Sequence, residues 1–206
     1  MQRYFITGIG TEVGKTVVSA IVTEALKADY WKPIQAGDLE YSDTDKVKQW
    51  ISNTTSTFHK NAYALQTPMS PHAAAEIDQI QISAKAIKTP KIANNLVVEG
   101  AGGLLVPLND TETILDLLLP TDKVILVSRH YLGSINHTLL SAAILKQKGI
   151  TNVGLIFNGK EHKTTESIIL KKTGFSFLGR IDEEKTMNAE VVLKYASQLK
   201  QRLANF

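Results

Sequence analysis

Short apolar runs alternate along the chain with longer segments in which apolar residues recur at helical spacing. The short runs are nearly continuous in Val, Ile and Leu, as in strands that are covered on both faces of a parallel sheet. The pattern predicts strands at residues 4–7, 30–32, 95–99, 123–128 and 152–158. It predicts helices at residues 15–27, 43–52, 83–87, 135–148, 164–173 and 189–204. This alternation indicates an α/β fold with a mostly parallel sheet flanked by helices.

The chain contains no internal repeat and no low-complexity tract. Residues 54–71 are rich in Ser, Thr, Asn and Pro, which favours a surface excursion and not a linker between domains. With 206 residues, of which 43% are hydrophobic, the chain has the size and apolar content of one larger α/β domain. We therefore expect residues 1–206 to form a single domain.

Composition and charge limit the possible functions. The net charge of +3 is too small to indicate a surface for nucleic acid or for a membrane. The absence of cysteine excludes disulfides and thiolate metal sites and fits a reducing compartment. No apolar run approaches the roughly 18 residues of a membrane-spanning helix, and the apolar stretch at the N-terminus is too short for a signal peptide. We expect a cytoplasmic protein that binds neither nucleic acid nor membranes.

The clearest chemical motif is a glycine-rich loop between the first predicted strand and the first predicted helix, Gly8-Ile9-Gly10-Thr11-Glu12-Val13-Gly14-Lys15-Thr16. In a phosphate-binding loop (P-loop), backbone N–H groups surround phosphate oxygens, a lysine reaches the terminal phosphates and a hydroxyl binds Mg²⁺. Lys15 and Thr16 would take the last two roles. The loop is one residue longer than the usual motif, because Ile9 stands where its first glycine is expected and Gly8 precedes it. The alternative is a glycine-rich turn that binds no ligand.

A Mg²⁺ ion at such a loop needs carboxylate ligands, which usually stand where a strand ends. Glu99 follows Leu96-Val97-Val98 and precedes a glycine-rich stretch, so we expect it beside the phosphate loop. Asp43 and Asp45 follow the second predicted strand at the start of a predicted helix, where helix capping is the alternative role. We prefer Asp45 as the metal ligand and keep Asp43 as the alternate.

With these pieces in place, seven segments in order resemble the dethiobiotin synthetase family. They are Thr7-Gly8 with Thr11-Glu12-Val13-Gly14-Lys15-Thr16, Lys32-Pro33-Ile34-Gln35 with Gly37, Asp43-Thr44-Asp45, Ser70-Pro71-His72, Val98-Glu99-Gly100-Ala101-Gly102-Gly103 with Pro107-Leu108, Leu132-Gly133-Ser134-Ile135-Asn136-His137, and Asn158. Three positions depart from the family pattern. Gly10 stands where an Asp is common, Ala36 where a hydroxyl residue is usual, and Arg180-Ile181-Asp182 where the segment near the adenine usually ends in Pro.

The resemblance implies a P-loop NTPase fold and a ligase of biotin biosynthesis. Its substrates would be 7,8-diaminopelargonate, CO₂ and ATP, with Mg²⁺ required, and its substrate site would lie at the interface of a homodimer. The implied catalytic residues are Lys15, Lys32 and Thr11. The implied nucleotide-binding residues are Gly8, Gly10, Thr11, Glu12, Val13, Gly14, Lys15, Thr16, Val17, Glu99, Gly102 and Asn158. The implied substrate-binding residues are Thr11, Lys32, Ala36, Gly133, Ser134, Ile135 and Asn136, and the implied metal ligands are Thr16, Glu99 and Asp45 or Asp43.

Two other classes of P-loop protein remain as alternatives. A partitioning or regulatory ATPase usually carries an additional lysine early in the phosphate loop, where this chain has Ile9, Gly10 and Thr11. A kinase of a small metabolite would keep the loop but has no use for the segment Gly133-Ser134-Ile135-Asn136. We therefore favour the ligase.

Overall fold

A seven-stranded sheet in which every neighbouring pair is parallel runs through the molecule in the computed structural model, which describes all residues from Met1 to Phe206. The strand order is β4-β2-β6-β1-β7-β8-β9, and β3 pairs with β5 in a separate parallel sheet. The strands are β1 Arg3–Gly8, β2 Asp29–Trp31, β3 Ile34–Ala36, β4 Phe58–His59, β5 Tyr63–Leu65, β6 Leu96–Gly103, β7 Lys123–Arg129, β8 Val153–Asn158 and β9 Ser176–Ile181. The helices are α1 Lys15–Leu26, α2 Asp43–Trp50, α3 Pro71–Ile77, α4 Ser134–Gln147, α5 Lys163–Thr173 and α6 Ala189–Asn205.

Both faces of the large sheet are covered, because successive side chains of a strand point to opposite faces. In β1, Tyr4 and Ile6 belong to one core cluster and Phe5 belongs to the other. The first cluster packs under α1 and α6, and the second packs under α4, α5 and the segment that follows β6. The expected α/β fold with a mostly parallel sheet is thus confirmed.

The five predicted strands and the predicted helices are all present at or near their predicted positions, with three differences. Residues 83–87 form only a short 3-10 turn, Ala84–Ala86. The strand predicted to end at Glu99 continues to Gly103, so Glu99 lies inside β6 and not at its end. Residues 54–71, predicted as a surface excursion, contain β4 and β5.

Five elements that the sequence pattern did not predict complete the fold: β3, β4, β5, β9 and α3. β9 was missed because Gly179 interrupts its apolar run, and its pairing with β8 also shifts register at Ile156. β3 and α3 are only three and seven residues long, too short for their periodicity to stand out. The helix lengths and hydropathies leave no transmembrane helix in this structure.

Candidate functional site

The glycine-rich loop lies between β1 and α1 at the carboxyl edge of the sheet, where ligands of open α/β folds bind. The loop is tightly folded: a Cβ on Gly8 would lie 2.4 Å from Val13 Cγ2, and a Cβ on Gly14 would lie 2.1 Å from Asn158 Nδ2. Gly14, with φ 95°, is the N-cap of α1, and no side chain caps that helix end. The first turn of α1 also carries no acidic residue. Free N–H groups and the helix dipole therefore make this end suited to an anion.

Lys15 is a buried cation at the start of α1. Its ammonium donates to the Gly10 carbonyl oxygen at 2.9 Å, and its side chain lines the cavity described below. Burial is the main cause that lowers the pKa of Lys15 to about 8; Lys32 acts in the same direction, and Glu99 and Asp43 oppose it. The carboxylates of Glu99 and Asp43 thus do not offset the cost of burying this charge.

A second set of polar groups converges on Glu99, whose carboxylate is almost fully buried in β6. Thr16 Oγ1 donates to Glu99 Oε1 at 3.0 Å, and Lys32 Nζ lies 3.1 Å from the same oxygen. Tyr30 donates its hydroxyl to the other oxygen, Oε2, at 2.9 Å. A buried carboxylate needs such partners, because an unpaired buried charge is strongly destabilising.

Lys32 links this carboxylate to that of Asp43, because its ammonium also donates to Asp43 Oδ2. Burial favours the neutral form of Lys32, but Glu99 and Asp43 outweigh it and raise the pKa of Lys32 above its ordinary value. Burial likewise favours the neutral form of Asp43, and Lys32 outweighs it and lowers the pKa of Asp43. Lys32 and Asp43 are therefore charged at neutral pH. Lys46, from the next turn of α2, places its ammonium 3.6 Å from Asp43 Oδ1.

Asp45, which the sequence favoured over Asp43 as a metal ligand, has another role in this structure. Its carboxylate accepts hydrogen bonds from the Ser42 backbone N–H at 2.9 Å and from the Ser42 hydroxyl at 2.6 Å. The Asp45 backbone N–H donates in turn to Ser42 Oγ at 3.3 Å, which completes a capping box at the start of α2. Asp43 thus joins the cluster around Lys32, and Asp45 does not.

A cavity of about 850 Å³ opens over these groups. The predicted site residues that line it are Thr11, Glu12, Gly14, Lys15, Thr16, Val17, Lys32, Ala36, Asp43, Glu99 and Gly102. Its wall also includes Tyr41, Lys46 and the turn Pro68-Met69-Ser70-Pro71, to which the sequence assigned no chemical role. The predicted residues outside its lining are Gly8, Gly10, Val13, Asp45, Asn158, Gly133, Ser134, Ile135 and Asn136.

Two parts of the predicted site lie outside the cavity lining, at different places in the fold. Asn158 ends β8 and donates its side-chain amide to the Val13 carbonyl oxygen at 2.9 Å, so it fixes the back of the phosphate loop. The segment from Gly133 to Asn136 opens α4, whose N-cap Gly133 has no side-chain hydrogen bond. Beside it, Leu132 is fully exposed and Ile135 is partly exposed. This segment does not reach the cavity of its own chain.

Tyr30 is a polar contact that sequence reasoning missed, because an aromatic residue in an apolar strand resembles a core residue. The spacing of Tyr30 and Lys32 could have indicated this contact, because residues two apart share one face of an extended chain. The capping role of Asp45 could also have been predicted, since Ser42-x-x-Asp45 has the spacing of a capping box.

Comparison with known proteins identifies the family. A family profile described as an AAA domain matches residues 2–191. An ATP-dependent dethiobiotin synthetase, BioD, of Christiangramia forsetii is 64% identical over 98% of this chain and 98% of its own length. The chain belongs to the ATP-dependent dethiobiotin synthetase family. Proteins of the same name from Cytophaga hutchinsonii and Chlamydia pneumoniae are 50% and 40% identical and cover 97% and 98% of this chain, and 97% and 90% of their own lengths.

Several solved structures share the fold of this dethiobiotin synthetase family member. The cell-division ATPase MinD of Pyrococcus furiosus superposes with a TM-score of 0.63 at 14% identity and covers 98% of this chain and 100% of its own. A plasmid partition protein of Borrelia burgdorferi, solved with AMPPNP, superposes with a TM-score of 0.61 at 15% identity, covering 100% and 99%. At such low identity the likeness concerns the fold alone.

Proposed function

We propose that this chain catalyses the ATP-dependent ring closure of 7,8-diaminopelargonate with CO₂, giving dethiobiotin, ADP and phosphate in biotin biosynthesis. The relatives named above carry that activity in their names. The observation that carries the proposal is that one cavity joins the phosphate loop with its Lys15 to the cluster of Lys32, Glu99 and Asp43. These are the groups that an ATP-dependent reaction through a carbamate requires.

The reaction proceeds in three steps that balance without a further reactant. One amine of the substrate adds to the carbon of CO₂ and loses a proton, which leaves a carbamate. A carbamate oxygen attacks the γ-phosphorus of ATP, and the bond from that phosphorus to the bridging oxygen breaks to release ADP. The second amine then attacks the carbamate carbon, loses a proton, expels phosphate and closes the ureido ring.

The protein contributes positioning and charge. The loop N–H groups and the α1 terminus bind the phosphates, and Lys15 neutralises the charge that builds up between the carbamate and the γ-phosphate. Lys32, held by Glu99 and Asp43 in the cavity wall, supplies a second cation at the carbamate. Thr11, also on the cavity wall, donates a hydrogen bond to the carbamate.

The donor set around Lys32 fits Mg²⁺, which prefers hard oxygen ligands and is usually held by one or two carboxylates together with substrate phosphates. Thr16 and Glu99 are in direct hydrogen-bond contact, and the carboxylate of Asp43 meets them through Lys32. We propose these three as the metal ligands, with Asp43 in place of Asp45. Held by these residues, Mg²⁺ would supply positive charge that offsets the negative charge of the phosphates.

The remaining assignments also belong to this proposal. Glu12, Val17, Gly102 and Asn158 contact the nucleotide, Asn158 on the side of the adenine. Ala36 faces the diamine. The helix start from Gly133 to Asn136 binds the substrate carboxylate in the cavity of the partner subunit, which explains its distance from the cavity of its own chain and the exposed apolar residues beside it. A cytoplasmic location stays a prediction.

Phosphate release from ATP tests the proposal. Release that requires both diaminopelargonate and bicarbonate, with dethiobiotin detected by mass spectrometry, is the expected result. Release without either, or stimulation by DNA or a protein partner, would support a switch ATPase, and a phosphorylated product that accumulates would support a kinase. Lys15→Ala should abolish release while the circular dichroism spectrum stays that of the wild type. Near-normal turnover in that variant would remove the role of the loop.

A further inference from the structure

Tyr30 lies in β2 with no solvent exposure, yet its hydroxyl has one defined partner. That partner is Glu99 Oε2, which accepts a hydrogen bond from no other group of the chain. The two donors on the other oxygen, Thr16 and Lys32, face the cavity. The two oxygens of Glu99 are therefore divided: Oε1 toward the site and Oε2 toward the core.

The sheet register produces this division. Tyr30 pairs with Val97 in the parallel ladder of β2 and β6. Glu99 is two residues beyond Val97, and Lys32 is two residues beyond Tyr30, so all four side chains lie on one face. Tyr30 and Lys32 thus contact different oxygens of Glu99: the Tyr30 hydroxyl contacts Oε2 and the Lys32 ammonium contacts Oε1. An aromatic ring alone would fill the core here, since Tyr30 packs against Phe58 at a ring distance of 6.0 Å, but only a hydroxyl at the ring tip reaches Oε2.

We propose that Tyr30 is a positioning residue for Glu99, fixing the carboxylate so that Oε1 alone is presented to Thr16 and to the metal–nucleotide complex. The proposal rests on the function proposed above, because it concerns the Mg²⁺ that Glu99 would bind there. A single presented oxygen suits Mg²⁺, which demands near-ideal octahedral geometry. Partners of this kind, which hold a metal ligand without touching the metal, change metal affinity or activity by about 10- to 100-fold when they are removed.

Tyr30→Phe removes the hydroxyl and keeps the ring. A matched control is Tyr195→Phe, because Tyr195 is also buried and donates its hydroxyl to a glutamate, Glu184, at 2.7 Å outside the cavity. Affinity for AMPPNP is measured by calorimetry in excess Mg²⁺ and again in EDTA. For Tyr30→Phe we expect the affinity gained on adding Mg²⁺ to fall about tenfold or more, while affinity in EDTA stays within about twofold of the wild type. Tyr195→Phe should keep the full gain.

Three results would overturn the proposal. One is a Tyr30→Phe protein with the wild-type gain from Mg²⁺. Another is an equal loss of affinity with and without Mg²⁺, which would indicate a role in packing only. The third is a further loss of the gain from Mg²⁺ when Tyr30→Phe is added to Glu99→Ala, because the hydroxyl should have no effect once no side-chain oxygen is left for it to position. A wild-type protein that binds no AMPPNP under either condition would instead overturn the proposed function itself, so the two failures are distinguishable.

Discussion

Lys32 and Glu99 form an ion pair between neighbouring strands, with Lys32 Nζ 3.1 Å from Glu99 Oε1 and both side chains almost fully buried. The same ammonium is bonded to Asp43, so one cation compensates two carboxylates at the floor of the cavity. The paired carboxylates hold the ammonium in place, and in the proposed reaction this cation would lie beside the carbamate.

Removal of this cation should destabilise the protein in a way that a divalent ion relieves. Lys32→Met leaves Glu99 and Asp43 buried without their partner, and we expect a loss of about 3 kcal/mol in the free energy of unfolding at neutral pH. Without Lys32, which lowers the pKa of Asp43 in the wild type, the Asp43 carboxylate would take up a proton more readily in the folded state, so stability should rise as the pH is lowered toward 5.

Urea unfolding with and without millimolar Mg²⁺ checks this prediction. Mg²⁺ should restore part of the loss in Lys32→Met, because it can compensate the same carboxylates, whereas NaCl of equal ionic strength should not. Lys200→Met, at an exposed position of α6, is the control and should unfold like the wild type. A Lys32→Met protein that is indifferent to both pH and Mg²⁺ would contradict the cluster.

From the lowered pKa of Lys15 we expect a second pH dependence of stability, of opposite sign to that of Lys32→Met. Burial holds the pKa of Lys15 at about 8 in the folded chain, against an ordinary value of 10.5. Between these values the unfolded chain binds more protons, so the stability of the nucleotide-free protein should rise with pH across this window, by up to about 3 kcal/mol. Lys32 does not contribute there, because its pKa is raised and it titrates above the window.

Unfolding curves at a series of pH values between 7 and 10 test this, with Lys15→Met as the comparison. The variant should lose the rise, since it has no proton to release. Affinity for AMPPNP should change the other way and weaken above about pH 8, because phosphate binds the charged form of Lys15. Parallel stability curves for the wild type and the variant would show that Lys15 is fully charged across the range.

The sequence predicts more of the fold than of the candidate site. The nearly continuous apolar runs predicted the central strands β1, β6, β7 and β8, since strands that are buried on both faces of a parallel sheet have this composition. β9 escaped because Gly179 breaks its pattern, and its place at the sheet edge follows from its pairing with β8, a long-range contact. No local propensity encodes a contact of that kind.

The loop residues Lys15 and Thr16 were predicted because their chemistry depends on neighbours in sequence. Asp43 and Tyr30 depend instead on which way a side chain turns. Both acidic residues at the start of α2 are suited to a helix N-terminus, and only the capping box decides that Asp45 turns to Ser42 and leaves Asp43 to face Lys32.

Paired substitutions at these two acids separate the roles. Asp45→Asn should weaken the capping box and lower stability by about 1 kcal/mol, with kcat and the Mg²⁺ requirement unchanged. Asp43→Asn should keep the cap but raise the Mg²⁺ concentration needed for half-maximal phosphate release by about tenfold or more. The measurements are thermal unfolding and a Mg²⁺ titration of turnover. Loss of the Mg²⁺ response in Asp45→Asn and not in Asp43→Asn would restore the preference that the sequence suggested.

Subunit mixing tests whether the helix start at Gly133 serves the cavity of a partner. Lys15→Ala should inactivate a subunit through its phosphate loop, and Asn136→Arg should inactivate it through the substrate carboxylate. If each site combines the loop of one subunit with the α4 start of the other, a mixed dimer contains one intact site and one doubly impaired site. Co-refolding equal amounts should then recover about one quarter of wild-type turnover, since half of the dimers are mixed. Activity that stays at the sum of the two variants, in a sample shown by mass spectrometry to contain mixed dimers, would place both groups in the same subunit and contradict the shared site.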